Sequence, residues 1–282
     1  MNQGALALDS AVNSGHDQVD GPSPTNSVVR ALEVLAAFGG SRTVLGVSEV
    51  AVRAGVPKST AHRLLNMMSQ HGFVRRKGNR YRLGERLFEL GTRAVEPRGI
   101  RERAVPYMTE LHHATLATVH LAVLHNDYVL YVEKIYGHGA LPCPSRVGGS
   151  NPASCTALGK ALLSRSADET VERVLGGRLP RPTRKSLHTA DALHRSLQIA
   201  RDDGFAVDYE ELSMGLACVS APIVDRGTGE AVAALSVSAP TARLNKRRFA
   251  TLLMTAAEAL SPASSLGPVE WIGPHAVNGP PA

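Results

Sequence analysis

Between Ser27 and Gln70 apolar residues recur three and four positions apart, and the breaks between runs fall at glycine and proline. Val28, Ala31, Leu32, Leu35 and Phe38 predict a first helix that Ser27 can cap and Gly39-Gly40 ends. Val50, Ala51 and Ala54 predict a short second helix, capped by Ser48 and stopped by Gly55, whose missing Cβ tolerates the left-handed backbone. After the turn Gly55-Val56-Pro57, the spacing of Ala61, Leu64, Leu65 and Met68 predicts a third helix with one buried face. At Phe73 the period changes to two. Phe73-Val74 and Tyr81 with Leu83 are expected to form a hairpin around Lys77-Gly78-Asn79.

Helical spacing returns from Glu85 to Thr118 through Leu87, Leu90, Ala94, Ile100, Ala104, Met108 and Leu111, and Pro97-Arg98-Gly99 is expected to bend or break it. This divides a linker helix from the first helix of a second domain. β-Branched and aromatic runs then predict strands at 118–124 and 128–135 around His125-Asn126-Asp127, and 136–153 reads as a Gly/Pro-rich loop. Ser154 to Lys160 leads into a helix reaching Leu163, and a capping box from Ser166 to Glu169 starts another. Residues 178–185 form a basic, proline-broken loop, and 190–203 a helix stopped by Gly204. Strands occupy 205–208, 217–224 and 230–238, with a turn at 225–229. A last helix at 245–260 turns Phe249, Leu252, Leu253, Ala256 and Leu260 inward. The fold class is therefore α+β, with an N-terminal winged helix-turn-helix at 26–84, a linker helix at 85–99, and an antiparallel sheet with flanking helices at 100–261. Residues 1–25 and 262–282 lack a period, are rich in Gly, Pro and small polar residues, and are expected to be flexible.

The polar positions give the N-terminal part its chemistry. Opposite its apolar stripe the third helix carries Ser59, His62, Arg63, Asn66 and Gln70, with Lys58 and Thr60 in its first turn. These side chains donate to phosphates and base edges, as does the hydroxyl of Ser48. The bland alternative is a helical hairpin with a solvated face. The strand hairpin at 73–83 argues against it, because Arg75, Arg76, Lys77, Arg80 and Arg82 load that hairpin with charge suited to a phosphate backbone or minor groove. A helix-turn-helix joined to a basic wing is a duplex DNA reader whose second helix enters the major groove.

Charge distribution points the same way. The net charge is +6, yet residues 1–25 hold three acids and no Lys or Arg, 26–103 hold 15 Lys/Arg against 6 Asp/Glu, and 104–282 hold 16 of each. The basic excess thus coincides with the helix-turn-helix, the footprint of a DNA-binding module joined to a neutral domain with another task. No run approaches the ~20 apolar residues of a membrane helix, and the first residues have neither a basic start nor an apolar core, so cytoplasmic residence and no membrane partner are expected. Three cysteines without CxxC spacing suggest neither a disulfide framework nor a zinc site. No cofactor is implied. His112, His113 and His120 lack metal-motif spacing and read as surface or satisfied histidines. Two alternatives stay open: a metal-responsive regulator using His120, His138, Cys143 and Cys155, and an enzyme using Cys155 or Cys218 as nucleophile.

From Ser27 to Leu260 the chain resembles the IclR family of bacterial transcription regulators. The resemblance rests on Ser27-Val-Val-Arg-Ala-Leu-Glu-Val-Leu35, Gly55-Val-Pro-Lys-Ser-Thr-Ala-His-Arg-Leu-Leu65, Tyr81-Arg-Leu-Gly84 and Thr156-Ala-Leu-Gly-Lys-Ala-Leu162. Asp208, Cys218-Val-Ser-Ala-Pro-Ile223 and Ala233-Ala-Leu-Ser-Val-Ser238 come next in the same order. It implies a winged helix on double-stranded operator DNA, a linker helix, a GAF-like C-terminal domain that binds a small organic effector, and assembly as homodimers or dimers of dimers that repress or activate. It also implies that the backbone of Ala157 and Leu158 meets the effector, frequently an organic acid, with Asp208, Cys218, Ser236 and Ser238 on the opposite wall. Where the family often has His-Ala before the threonine, this chain has Ser154-Cys155.

Overall fold

The computed structural model describes residues 27–39, 42–91, 96–137 and 143–261, which fall into two compact units divided between Leu90 and Gly91. The expected flexible segments 1–25 and 262–282 lie outside the described residues. In the first unit, α1 (Ser27–Ala36), α2 (Val47–Arg53) and α3 (Lys58–Gln70) share a core with β1 (Leu45–Gly46), β2 (Val74–Lys77) and β3 (Arg80–Leu83), an antiparallel sheet in the order β1-β3-β2. The turn between α2 and α3 holds Gly55 at φ +62°, as its stop role requires. Ala61, Leu64 and Leu65 of α3 are buried, and Met68 packs against them from the edge. Gly84 ends β3 where a Cβ would lie 2.0 Å from the Gly72 carbonyl oxygen, so only glycine lets the wing close on the end of α3.

Two expectations for this unit are corrected. α1 turns Val34 into the core, together with Ala37 and Phe38 of the single 3-10 turn at its end, while Val28 and Leu32 are 59% and 60% exposed. Ser48 does not cap α2. The helix starts one residue before it, Gly46 takes the cap position, and the Gly46 N–H donates to Glu49 Oε2 at 2.8 Å, so a carboxylate three residues on closes the turn. β1 went unpredicted because two residues carry no alternation and their partner, β3, is distant in sequence.

α4 (Glu85–Gly91) comes after the wing, and α5 (Glu96–Thr115) opens the second unit. Residues 92–95 lie outside the described residues. Pro97-Arg98-Gly99 does not break a helix as expected; it lies in the first turns of α5, where a missing N–H has no intrahelical acceptor to lose. A six-stranded antiparallel sheet runs β6-β5-β4-β9-β8-β7, from β4 (Thr118–His125), β5 (Tyr128–Ile135), β6 (Ser150–Pro152), β7 (Ala206–Tyr209), β8 (Leu216–Val224) and β9 (Ala231–Pro240). One face packs on α5 and α9 (Lys246–Leu260) through Met108, Leu121, Val219, Leu235, Val237 and Leu253. The other face receives α6 (Ala157–Leu163) and α8 (Ala190–Asp203), with α7 (Asp168–Gly176) outside them, around Leu158, Leu162, Leu193 and Ala234. α8 ends at Gly204, at φ +77°. β6 is a short edge strand inside the stretch read as loop. The capping box at Ser166 does not form, because its hydroxyl donates back to the Leu162 carbonyl (3.0 Å) and α7 begins after Ala167. Among the described residues no helix is long and apolar enough to cross a membrane.

Candidate functional site

Two regions present chemistry. On the first unit, the burial of Ala61, Leu64 and Leu65 turns Lys58, Ser59, His62 and Arg63 to solvent, with Thr60 half-buried at the first turn. Ser48 on α2 is exposed as well. In the wing, Arg75 pairs with Arg82, Arg76 with Tyr81 and Lys77 with Arg80 across the hairpin. All the basic side chains of the wing are exposed. They are not equally free. Arg75 Nε lies 2.7 Å from Glu85 Oε2, and Arg76 donates to the Gly78 carbonyl (2.8 Å) with its guanidinium 5.8 Å from the Tyr81 ring. A row of cations beside an outward polar helix is what duplex phosphates and base edges require.

On the second unit, strand register builds a pocket wall. Asp208 lies opposite Cys218, and Cys218 opposite Ser238, so one row crosses β7, β8 and β9. The next row places Ser220 opposite Ser236, Ser236 opposite His120, and His120 opposite Lys134. Directly opposed residues share a sheet face, and residues two apart on one strand do too. Both rows therefore face α6. That helix begins at Thr156, whose hydroxyl accepts the Gly159 N–H (2.9 Å) and leaves the N–H groups of Ala157 and Leu158 without intrahelical acceptors. A Cβ on Gly159 would fall 2.1 Å from the Ala153 carbonyl oxygen, so glycine there lets the 153–155 turn seat the helix end. Between sheet and helix lies a narrow cavity of about 10 Å³, room for about one water, lined by His120, Tyr131, Cys143, Thr156, Ala157, Leu158, Asp208, Leu212, Leu216, Cys218, Ser236 and Ser238. All six effector positions implied by the resemblance meet there.

The polar groups of this space are buried and mutually bonded. His120 Nε2 is 2.8 Å from Ser145 Oγ, and its Nδ1 is 3.3 Å from Ser236 Oγ and 3.5 Å from Ser238 Oγ. Cys218 Sγ is 3.0 Å from Ser238 Oγ. Burial, reinforced by the Lys134 charge, lowers His120 to about 3, so the imidazole is neutral. Burial and the nearby Glu211 charge raise Asp208 to about 7, although its Oδ1 accepts the Glu211 N–H at 2.7 Å. Beneath Asp208, Lys160 Nζ meets Glu211 Oε1 at 2.5 Å in a buried ion pair, while Glu211 Oε2 has no partner. Thr183 and Ser186 donate to the Glu210 and Glu211 carbonyls (2.7 Å each), tying the basic loop to this segment.

Sequence reasoning missed His120, Tyr131, Cys143, Thr156, Leu212 and Leu216 as lining residues. Thr156 was within reach, since a threonine before an apolar helical run is a cap signature. His112 is a satisfied histidine, its Nδ1 3.0 Å from the Ala117 carbonyl oxygen. Among the described residues no group of three or more His, Cys, Asp or Glu side chains is placed to hold a metal ion. Cys155 donates to the Pro180 carbonyl (3.1 Å), and burial pushes the thiols of Cys155 and Cys218 above the usual range.

Residues 27–78 match the IclR helix-turn-helix domain, and residues 92–262 match the bacterial transcriptional regulator IclR C-terminal domain. The transcriptional regulator KdgR of Escherichia coli is 35% identical over 246 residues, 85% of this chain and 93% of that protein. The transcriptional repressor IclR of the same organism is 30% identical over 240 residues, 82% and 87% of the two chains. The crystal structure of an IclR homolog from Microbacterium hydrocarbonoxydans, complexed with 4-hydroxybenzoate, is 30% identical, covers 84% of this chain and 98% of that one, and superposes with a TM-score of 0.77. With both of its units matched in order and nearly whole relatives covered, the chain belongs to the IclR family of bacterial transcriptional regulators.

Proposed function

We propose that α3 and the wing bind operator DNA as a symmetric dimer or dimer of dimers, and that a small organic acid in the pocket between α6 and the sheet controls that binding. Lys58, Ser59, Thr60, His62 and Arg63 read bases and adjacent phosphates; Ser48, Arg75, Arg76, Lys77 and Arg80 hold the backbone. The observation that carries the effector reading is the convergence on one narrow cavity of two backbone donors at the start of α6 with Asp208, Cys218, Ser236 and Ser238 from three strands. A carboxylate at Ala157 and Leu158 gains charge-assisted hydrogen bonds, and the strand side chains hold the other end of the molecule. The structural relative with 4-hydroxybenzoate bound fits an organic acid of modest size. Two-fold symmetry suits a recognition helix that covers only a short half-site. This reading gives Cys155 and Cys218 no catalytic role, since desolvation outweighs their partners and holds both as thiols above the usual range.

An operator-binding assay with and without a stabilising acid tests it. Asp208→Ala, and Ser236→Ala combined with Ser238→Ala, should keep unliganded DNA affinity and lose the acid's influence on it. Variants that respond like the wild type would place the effector elsewhere.

A further inference from the structure

Beside Asp208 the protein buries two carboxyl groups and one ammonium group. Asp208, Glu211 and Lys160 are 2%, 7% and 1% exposed. Lys160 Nζ is committed to Glu211 Oε1 at 2.5 Å, so Asp208 has donation from the Glu211 N–H (2.7 Å) in place of a cation of its own. Glu211 Oε2 is the one buried side-chain polar atom without a hydrogen-bond partner among the described residues, so the pair is already short of donors. The groups around it do not make up the balance. Cys218 stands opposite Asp208 across the strands, Tyr131, Cys143 and His120 line the same cavity, and Cys155 lies near both carboxyls. Burial keeps the thiols and the phenol protonated and the imidazole neutral. Lys134 bonds to Ser145, and Lys185 reaches Glu210 at 4.0 Å from the exposed side. The Ala157 and Leu158 N–H groups line this cavity too, and it has room for about one water. An acid that docks on them displaces that water and brings a third carboxylate where little solvent remains to screen it. Charge stays level only if a proton enters with the anion.

We propose that effector binding is coupled to the uptake of one proton: as the ligand carboxylate docks at the start of α6, Asp208 takes a proton from solvent on its second oxygen and becomes a neutral carboxyl. This rests on the effector reading above and adds its regulation. The net charge of the pocket is then the same before and after binding. Asp208 is the seat because Lys160 faces Glu211 directly and opposes a proton there, whereas Asp208 already titrates near 7. The neutral carboxyl keeps Oδ1 for the Glu211 N–H and gains a donor. Linkage sets the sign. Below about pH 7 Asp208 holds its proton beforehand and acid affinity is level; above it, affinity falls about tenfold per pH unit until the higher pKa of the bound state is reached. The regulator therefore answers to less acid as the pH falls toward 7.

Titration calorimetry on the full-length protein at pH 8, in buffers of different ionisation enthalpy, counts the proton directly. The probes are 4-hydroxybenzoate and straight-chain monocarboxylates, whose carboxyl groups are already ionised at that pH. With any of them that binds, the wild type should take up about one proton per acid, and its affinity should fall at least about tenfold between pH 6.5 and pH 8.5. Asp208→Asn imitates the neutral carboxyl and cannot ionise. It should bind at pH 8.5 at least as tightly as the wild type, with no proton uptake and an affinity level across the range. Circular dichroism reports whether it is folded. Uptake retained in Asp208→Asn puts the proton on Glu211, His120 or Lys134 and overturns the assignment, and a folded Asp208→Asn that binds no acid overturns it as well, because the ionised form is then required. Acid binding to the wild type without proton uptake defeats the coupling and leaves the effector reading standing. If none of these acids binds the wild type at pH 6.5 or pH 8.5, the effector reading fails and this proposal fails with it.

Discussion

Single residues in the pocket are held by burial as much as by bonds, and that makes two of them measurable. Asp208 is 2% exposed and titrates near 7, because burial and the Glu211 charge both disfavour its ionised form. A carboxyl whose folded pKa exceeds its unfolded value contributes stability that is complete below the unfolded pKa, near 4, and is lost as pH rises through about 7. Asp208→Asn removes the charge and keeps an acceptor for the Glu211 N–H. Its stability relative to wild type should therefore rise between pH 4 and pH 7 and level off above, by up to about 4 kcal/mol on the ~1.4 kcal/mol per unit scale. Urea denaturation at pH 4, 6 and 8 measures this, and a difference independent of pH would refute it. Lys160 gives a second test. It is the lysine of the Ala-Leu-Gly-Lys run, and its work is structural: it neutralises Glu211 at 2.5 Å inside the protein. Lys160→Met strands a buried carboxylate and should cost about 3–5 kcal/mol, whereas Lys160→Met with Glu211→Leu should recover most of that loss. These roles were only partly legible in sequence. Ser236 and Ser238 share a face by the two-residue period of one strand. His120 joins them through pairing across 116 residues, which no local pattern encodes.

Elements whose fate is decided by local spacing agree with the sequence, and those decided by distant partners do not. α8 spans 190–203 as its apolar period and Gly204 dictate, and α3 opens after Pro57 and runs to Gln70. β1 and β6, of two and three residues, exist only because β3 and β5 offer free edges. α1 was misaligned because both of its faces carry apolar residues; tertiary packing chose Val34 and left Val28 and Leu32 in solvent. In the wing, the pairing of Arg75 with Glu85 at 2.7 Å divides cations that the sequence alone makes equivalent. An exposed pair is worth little to stability, about 0–1 kcal/mol, but it lowers the charge available to a phosphate. Arg76→Ala and Arg80→Ala should each weaken specific and random duplex alike and reduce the salt slope by about one. Arg75→Ala should do so less, and Glu85→Gln should strengthen duplex binding at low salt. Fluorescence anisotropy across a salt series separates these cases; equal effects for the three arginines would show that Glu85 releases Arg75 at no cost.

At the scale of the whole molecule, regulation requires that occupancy of one unit change the behaviour of the other, and a ligand can do so only through unequal affinity for two arrangements. The chain from pocket to DNA-binding unit runs through α5 and α4, and we propose that these helices carry any change in spacing between two recognition helices. The dimer that would convert spacing into affinity needs a surface, and the first unit offers candidates. Leu32 on α1 and Phe88 and Leu90 on α4 are 60%, 76% and 45% exposed, large apolar side chains with no core to enter. Singly such residues are ordinary; we propose that a second copy covers them, since a dimer would remove this apolar surface from water. Leu32→Glu combined with Phe88→Glu should leave the fold intact and lower the apparent mass in sedimentation, with operator affinity falling toward that for random duplex. The effector should act on the wild-type assembly by a coupling of about 1–3 kcal/mol, a change of about 5- to 150-fold in operator affinity, and reciprocally operator DNA should alter acid affinity by the same factor. Measuring both factors closes the cycle. If a stabilising acid leaves operator affinity unchanged, and operator DNA likewise leaves acid affinity unchanged, the two sites are not coupled, and control of DNA binding must come from something other than the bound state of this pocket.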